Sequence, residues 1–207
     1  VAASSVPRAL SAVVADDLSG AAEVAGLLLR RGRPCTVALG VPEATSPAAG
    51  TVVVDLDHRC AGPAAAYAAV VAAVTALAPV GLLAVKLDSL WRGNVGATVQ
   101  ALQDSGFLVV VAGALPALGR TVAAGVPLVA GTPLAATGLW HLEERAAPAR
   151  VADLLAGPVL EVDLATVRSS GLAAVLGRAG GACVVTDGET DADLAAVATA
   201  AAALSAG

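Results

Sequence analysis

The chain has 207 residues, 57% of them hydrophobic, 14% charged and 2% aromatic, with a mean hydropathy of +0.80 and a formal net charge of -5. That much apolar surface excludes a disordered chain, because its burial offsets the conformational entropy that weakly hydrophobic sequences cannot recover, and the length suits one domain or two small ones. The acidic balance argues against nucleic acid as a main partner.

Short apolar runs alternate with longer Ala/Leu/Val stretches, the pattern of a parallel sheet covered on both faces. In chain order the runs predict a strand over Leu10–Ala15, a helix over Gly20–Arg31, strands over Cys35–Leu39 and Val52–Asp55, and a helix over Ala64–Leu77. A strand over Leu82–Lys86, a helix over Val95–Ser105 and a strand over Leu108–Ala112 follow. Residues Gly113 to Thr137, rich in Gly, Pro and Thr, read as irregular, and a long irregular segment in a compact domain is usually functional or mobile. The remainder predicts a strand over Val159–Val162, a helix over Leu164–Gly177, a strand over Cys183–Thr186 and a helix over Ala192–Leu204. The expected fold class is α/β, a three-layer Rossmann-like fold with a mostly parallel sheet in a single domain.

The uncharged run from Ala61 to Val85 exceeds the roughly 20 residues that span a bilayer. Pro63 and Pro79 interrupt it, alanine dominates it, and no basic or aromatic belt flanks it, so no membrane partner is expected. Val1 to Pro7 has neither the basic nor the apolar region of a secretory signal, which leaves the cytoplasm as the expected location. Cys35, Cys60 and Cys183 are far apart and form no CxxC, so they read as small buried hydrophobes and not as disulfides or metal ligands.

In an open parallel sheet, ligands bind beyond the carboxyl ends of the strands. In this sparsely charged chain, three strands end in polar clusters: Asp16, Asp17 and Ser19 after the first, Asp55, Asp57, His58 and Arg59 after the third, and Lys86, Asp88, Ser89, Arg92, Gly93 and Asn94 after the fourth. Lys86 is the lone lysine among twelve basic residues. Asn94 suits a helix N-cap, and the free N–H groups there, with Gly93 permitting close approach, would favour an anion. Arg92 adds a planar fork for a carboxylate or phosphate, and Lys86 a compact charge. The alternative is a structural ion-pair network of Lys86, Asp88 and Arg92 with the acidic cluster. Asp16 and Asp17 could order a loop, cap the first helix with Ser19, or hold magnesium beside substrate phosphates. Arg120 could reach the same mouth or lie on the surface. His141, beside Trp140, reads as a general-base candidate or a surface histidine. The self-contained nucleotide signatures GxxxxGK[ST] and GxGxxG are absent from the sequence, as are GxSxG and HExxH.

Several segments, in order, resemble the amino-terminal domain of the four-carbon acid sugar kinase family, whose members phosphorylate erythronate, threonate and related tetronates with ATP. Ala15-Asp16-Asp17-Leu18-Ser19-Gly20-Ala21 is similar to A-D-D-L-T-G-A, Asp55-Leu56-Asp57-His58-Arg59 to D-T-D-S-R, and Lys86 through Asn94 to K-x-D-S-T-L-R-G-N. Pro116 through Thr121 resembles P-A-x-G-R-T, and Gly131 through Leu134 with Thr137 resembles G-x-P-L and T. Leu90 and Trp91 depart from the Thr-Leu of the nine-residue motif, and the D-P-x-x-P stretch shrinks to Ala146-Ala147-Pro148.

The resemblance implies that this domain holds the acid sugar while a carboxyl-terminal nucleotide-binding domain, in the same chain or another, delivers ATP with Mg2+. Arg59, Arg92 and Arg120 would clamp the substrate carboxylate, Asp17, Asp88 and Ser89 would bond hydroxyls, and Ser19, Gly93 and Asn94 would complete the substrate site. Lys86 would stabilise the transferring phosphoryl group, and Asp16 or Asp17 would orient the nucleophilic hydroxyl unless the base lies on the second domain. Association into a homo-oligomer stays open. Two other readings are a non-catalytic acid-sugar-binding or partner-docking module, and a haloacid-dehalogenase-like phosphatase built on Val52-Val53-Val54-Asp55-Leu56-Asp57.

Overall fold

The computed structural model describes residues 10–42 and 50–205. Val1–Pro7, read above for a targeting signal, lies outside the described residues. The chain divides into two compact units, Val1–Ser105 and Gly106–Gly207, each with its own parallel sheet.

The first unit runs β1 (Leu10–Ala15), α1 (Leu18–Arg30), β2 (Cys35–Leu39), β3 (Thr51–Asp55), α2 (Pro63–Leu77), β4 (Leu82–Lys86) and α3 (Val95–Asp104). Its strands pair in parallel in the order β2-β3-β1-β4. Successive β1 side chains point to opposite faces and meet different helices. Val13 and Ala15 pack with Ala21, Ala25 and Leu28 of α1, whereas Ala12 and Val14 pack with Ala73 and Leu77 of α2. Val14, Val53 and Val54 are 0% exposed, and burial of each such side chain contributes about 1.5–3 kcal/mol. The register sets Ala15 beside Asp55 on one side and Lys86 on the other, so three strands end level.

Helix starts follow local chemistry. Asp17 caps α1 by accepting the Gly20 N–H at 2.7 Å, which moves the helix start ahead of the predicted Gly20. Pro63 occupies the first turn of α2, where its missing N–H costs nothing. This helix covers much of the uncharged run, and among the described residues no helix is long and apolar enough to cross a membrane.

The second unit runs β5 (Val110–Val111), β6 (Arg120–Ala123), β7 (Val126–Val129), β8 (Thr132–Pro133), β9 (Val159–Val162), α4 (Leu164–Val167), α5 (Leu172–Leu176), β10 (Cys183–Thr186) and α6 (Asp191–Leu204). Strands β5, β10 and β9 form a parallel sheet in that order. Val162, Val184, Val167, Leu172, Leu176 and Val197 build its core with α4, α5 and α6. The parallel pairing predicted from sequence is therefore present, divided between two sheets.

Two predictions are corrected here. The expected helix over Leu164–Gly177 breaks at Ser169-Ser170-Gly171, where the Ser169 hydroxyl bonds the Thr166 carbonyl and accepts the Gly171 N–H in place of the helix ladder. The segment predicted irregular contains an antiparallel sheet, β6-β7-β8. Its first turn has φ of 50° at Ala124 and 74° at Gly125, the mirror-image hairpin geometry whose twist suits the flanking strands. The buried Asp187 carboxylate accepts both turn N–H groups at 2.9 Å and holds the hairpin to the end of β10. Cys183 is buried as expected, and burial pushes its thiol up to about 11. Cys60, in contrast, is exposed because it lies in the loop after β3, outside the core.

Candidate functional site

The level ends of β1, β3 and β4 bring most of the predicted polar residues together. Asp16 is their hub and is 1% exposed. Its N–H donates to the Lys86 carbonyl at 3.1 Å, and its own carbonyl accepts the His58 and Arg59 N–H groups at 3.0 and 3.1 Å. Its carboxylate takes two parallel bonds from Arg59, Nε to Oδ2 at 2.9 Å and Nη2 to Oδ1 at 2.7 Å, and Oδ2 also accepts the Asp88 N–H at 3.3 Å. Arg59 Nη1 reaches Asp17 Oδ2 at 2.6 Å. These bonds to Asp16 hold the Arg59 guanidinium well above its ordinary value against the opposing effect of burial.

The loop after β4 is organised by Asp88. Its Oδ2 accepts the N–H groups of Leu90 and Arg92, each at 3.2 Å, and Arg92 closes on the carboxylate through Nε at 2.8 Å and Nη2 at 2.9 Å. Burial pushes the Asp88 carboxyl up, but the side-chain and backbone bonds from Arg92, with the charges of Arg92 and Arg59, outweigh it and hold the group at about 2. Of the expected ion-pair network, Arg92–Asp88 is present, but the acidic pair after β1 is held by Arg59 and Lys86 pairs with Glu23, and each of the two Arg–Asp forks has a geometry suited to planar two-point pairing. Gly93, at φ 78°, passes so close to Arg59 that a Cβ would lie 2.8 Å from Arg59 Cγ.

Asn94 stands at the N-cap position of α3 but makes no side-chain cap bond. Its Nδ2 donates instead to the carbonyls of His58 at 2.7 Å, Arg59 at 3.2 Å and Ala61 at 2.8 Å, which ties the loop after β3 to α3. The predicted capping role is corrected: three converging carbonyls require a donor, and a cap requires an acceptor.

Lys86 points along the mouth with its Nζ 3.2 Å from Glu23 Oε2 on α1 and 3.2 Å from the Leu87 carbonyl. Gly20 makes room for it, since a Cβ there would lie 3.1 Å from Lys86 Cγ and 2.9 Å from Asp17 Oδ1. Glu23 was not singled out from sequence; its one signal is that it lies a helical turn beyond Ser19, on the same face of α1. Ser19 is exposed and Ser89 half-buried.

His58 was read only as part of a charged cluster, yet it is 2% exposed and its ring lies inside the site's framework. Its Nε2 is 3.2 Å from Thr98 Oγ1 on α3, and its Nδ1 is buried with no hydrogen-bond partner. Burial lowers the imidazole's pKa below 6.5, with Arg59 acting in the same direction, while the carbonyl of Asp16 and the charges of Asp16 and Asp55 oppose it.

Asp55 is 6% exposed, and its Oδ1 accepts the Asp57 N–H at 3.0 Å, so this carboxylate is engaged in shaping its own loop. Arg120 begins β6 in the second unit, where its main chain pairs with Leu115. His141 is exposed in that same unit, with Nδ1 2.6 Å from the Gly138 carbonyl. An open groove of about 490 Å³ between α4, α5 and α6 is lined by residues such as Val167, Ala192, Ala196 and Thr199, with none of the predicted site residues.

Magnesium does not fit the aspartate pair as arranged. Both Asp16 oxygens accept bonds from Arg59, and Asp17 serves Arg59 and the α1 cap. Among the described residues no three His, Cys, Asp or Glu side chains form a metal-holding group.

Residues 11–207 match the family model described as a sugar-binding N-terminal domain. The chain is similar to a D-threonate kinase of Cupriavidus necator, 37% identical over 203 residues, covering 93% of this chain and 49% of that protein. A D-threonate kinase of Salmonella typhimurium is 34% identical over 202 residues, covering 91% and 48% respectively. The chain therefore spans about half the length of the curated relatives it matches. A crystal structure of a Bordetella bronchiseptica domain of unknown function, described as a domain-swapped dimer with bound citrate, superposes with a TM-score of 0.78 at 26% identity, covering 93% of this chain and 55% of that one.

Proposed function

The chain belongs to the family of the sugar-binding N-terminal domain, and from that premise we propose that it holds a four-carbon acid sugar of the threonate, erythronate or oxo-tetronate type for phosphorylation by ATP. The observation that carries this reading is the meeting of Arg59, Lys86 and Arg92 with Asp16, Asp17 and Asp88 at three adjacent strand ends. A polyhydroxy acid needs cationic donors for its carboxylate and acceptors for its hydroxyls, and this mouth offers both. The relatives' activity on D-threonate supports that choice, as does citrate, a hydroxy acid, in the Bordetella structure.

In this reading Arg92 and Arg59 bind the substrate carboxylate, and Ser19 and Ser89 bond its hydroxyls. Gly93 and Asn94 shape the loop that carries Arg92. Asp16 and Asp88 fix the two arginine forks in place. Asp17, more exposed than Asp16 at 22% against 2% of its side chain, orients the nucleophilic hydroxyl. Lys86, held near Glu23, turns to the transferring phosphoryl group and stabilises its charge; phosphoryl transfer depends mainly on such positioning and electrostatics. ATP and its Mg2+ are delivered by a second domain, in the same chain or another. The finer architecture proposed is a three-layer Rossmann-like domain that works in the cytoplasm, with pairing of copies as in the Bordetella dimer.

Calorimetry of the purified chain with D-threonate and D-erythronate tests this. One of them should bind, Arg92→Met should weaken that binding by about tenfold or more, the value of one charged hydrogen bond, and ATP alone should yield no phosphorylated product. A folded chain that binds neither acid overturns the reading.

A further inference from the structure

We infer that His58 is a pH-responsive positioning residue, which keeps the Arg59 loop docked on α3 only while its ring is neutral. The loop after β3 is held at three points. Asp16 accepts the His58 and Arg59 N–H groups, Asn94 donates to the carbonyls of His58, Arg59 and Ala61, and the His58 ring meets Thr98 Oγ1. The first two pins do not change with pH near neutrality. The third one does.

One ring nitrogen, Nε2, meets a side-chain partner, Thr98 Oγ1, while Nδ1 is buried with none. With Nε2–H donating to Thr98, the bare Nδ1 lone pair is buried at modest cost, whereas a second N–H at Nδ1 would be a buried donor with no acceptor of its own. The Asp16 carbonyl is already shared by two backbone N–H groups. Protonation would also place a second positive charge beside the Arg59 guanidinium. The charged groups facing the ring are Asp16 at the end of β1, Asp55 at the end of β3 and Arg59 in its own loop, while α3 contributes the uncharged Thr98. The two carboxylates would draw the proton in, but Asp16 is committed to Arg59 and Asp55 to the Asp57 N–H. Swinging the ring out of its buried position relieves the unpaired N–H and the charge, and it carries Arg59 with it.

The sign follows from the folded-state value lying below 6.5. Above 6.5 the ring is neutral folded and unfolded, and the docking is intact. As pH falls below 6.5 the undocked form takes up the proton first, and docking is lost through the folded-state value. Only the two histidines in the chain have ordinary values near this range.

NMR on the chain with 15N-labelled imidazoles tests the inference without any ligand, with His141→Gln assigning the His58 signals. The expected result is the Nε2–H tautomer near neutrality, a His58 midpoint below 6.5, and Arg59 Nε–H and Asn94 side-chain signals that shift with the same midpoint. His58→Gln, whose amide keeps a donor toward Thr98 but does not titrate, should abolish that shift while the fold persists. An Arg59 signal indifferent to the His58 titration, a midpoint at or above 6.5, or a response that survives in His58→Gln overturns it. The functional arm rests on the acid-sugar reading: D-threonate affinity should fall by up to about tenfold per pH unit below the midpoint in the natural chain and stay level in His58→Gln. Loss of D-threonate binding at all pH values would count against the acid-sugar reading and leave the NMR result to decide the role of His58.

Discussion

Arg59 grips Asp16 with two parallel hydrogen bonds, from Nε to Oδ2 at 2.9 Å and from Nη2 to Oδ1 at 2.7 Å, and so fastens the loop after β3 to the end of β1. Because the Asp16 side chain is 2% exposed, its charge has no water to fall back on. Arg59→Lys keeps the positive charge but replaces the planar fork with a point donor that cannot satisfy both oxygens. The expected cost is toward the lower end of the ~3–5 kcal/mol seen when one partner of a buried pair is removed, since Arg59 itself retains some exposure. Urea unfolding of the variant measures it, and a loss well under about 1 kcal/mol would mean that the fork contributes no more than a surface pair.

Gly20 and Gly26 lie in the same helix, yet alanine should act in opposite directions at the two. Replacing glycine by alanine in a helix ordinarily stabilises by about 1 kcal/mol. At Gly26 the nearest obstacle is the flexible end of Arg30 at 3.4 Å, so Gly26→Ala should raise the unfolding midpoint. At Gly20 the new Cβ would meet Asp17 Oδ1 at 2.9 Å and Lys86 Cγ at 3.1 Å. Gly20→Ala should therefore lose the helix gain and weaken D-threonate binding by displacing both side chains. Equal stabilisation by the two variants would show that the mouth tolerates the intrusion.

Much of this was legible in the sequence for a physical reason. Parallel strands are short β-branched and leucine runs, and β1, β2, β4, β9 and β10 fall at their predicted bounds. The division into two sheets was not legible, because strand neighbours are chosen by long-range packing that no local pattern encodes. The hairpins of β6, β7 and β8 were missed because the first turn is Ala124-Gly125, without the Asn or Asp that usually marks a positive φ. At the site, the clustering of charges could be seen, but pair choice could not. It depends on the register that levels Ala15, Asp55 and Lys86, and on the close passage of Gly93 over Arg59.

Asp88 should give the protein a specific acid limb. Its carboxyl is held at about 2, below the ordinary 3.8, by the Arg92 bonds that outweigh its burial. A lowered folded-state value means that the contribution is complete above about pH 4 and is lost as pH falls toward 2. Asp88→Asn removes the titrating group and turns an amide N–H toward the Arg92 donors, so it should be less stable than the natural chain at neutral pH. The gap should narrow as pH falls through that window. Urea midpoints taken across the range check this, and a gap that stays constant would place the acid sensitivity elsewhere.

Asn94→Asp separates two roles for the same position. As a helix N-cap, aspartate is as good as asparagine and its charge favours the α3 N-terminus, so capping alone predicts no loss. In the folded chain, however, Nδ2 donates to three carbonyls, at 2.7, 3.2 and 2.8 Å. A carboxylate in its place would face those oxygens with lone pairs on both sides. The expected loss is about 2–4 kcal/mol near neutral pH, from the missing bonds and from carbonyls left without a donor. The introduced carboxyl would have a raised folded-state value, so its penalty is largest above that value and eases as acid supplies the proton that restores one donor. A cap would behave oppositely, with its benefit vanishing on protonation. Urea unfolding of Asn94→Asp against the natural chain, near neutrality and near pH 4, decides between them: a deficit that shrinks in acid supports the loop-tying role, and one that grows supports the cap.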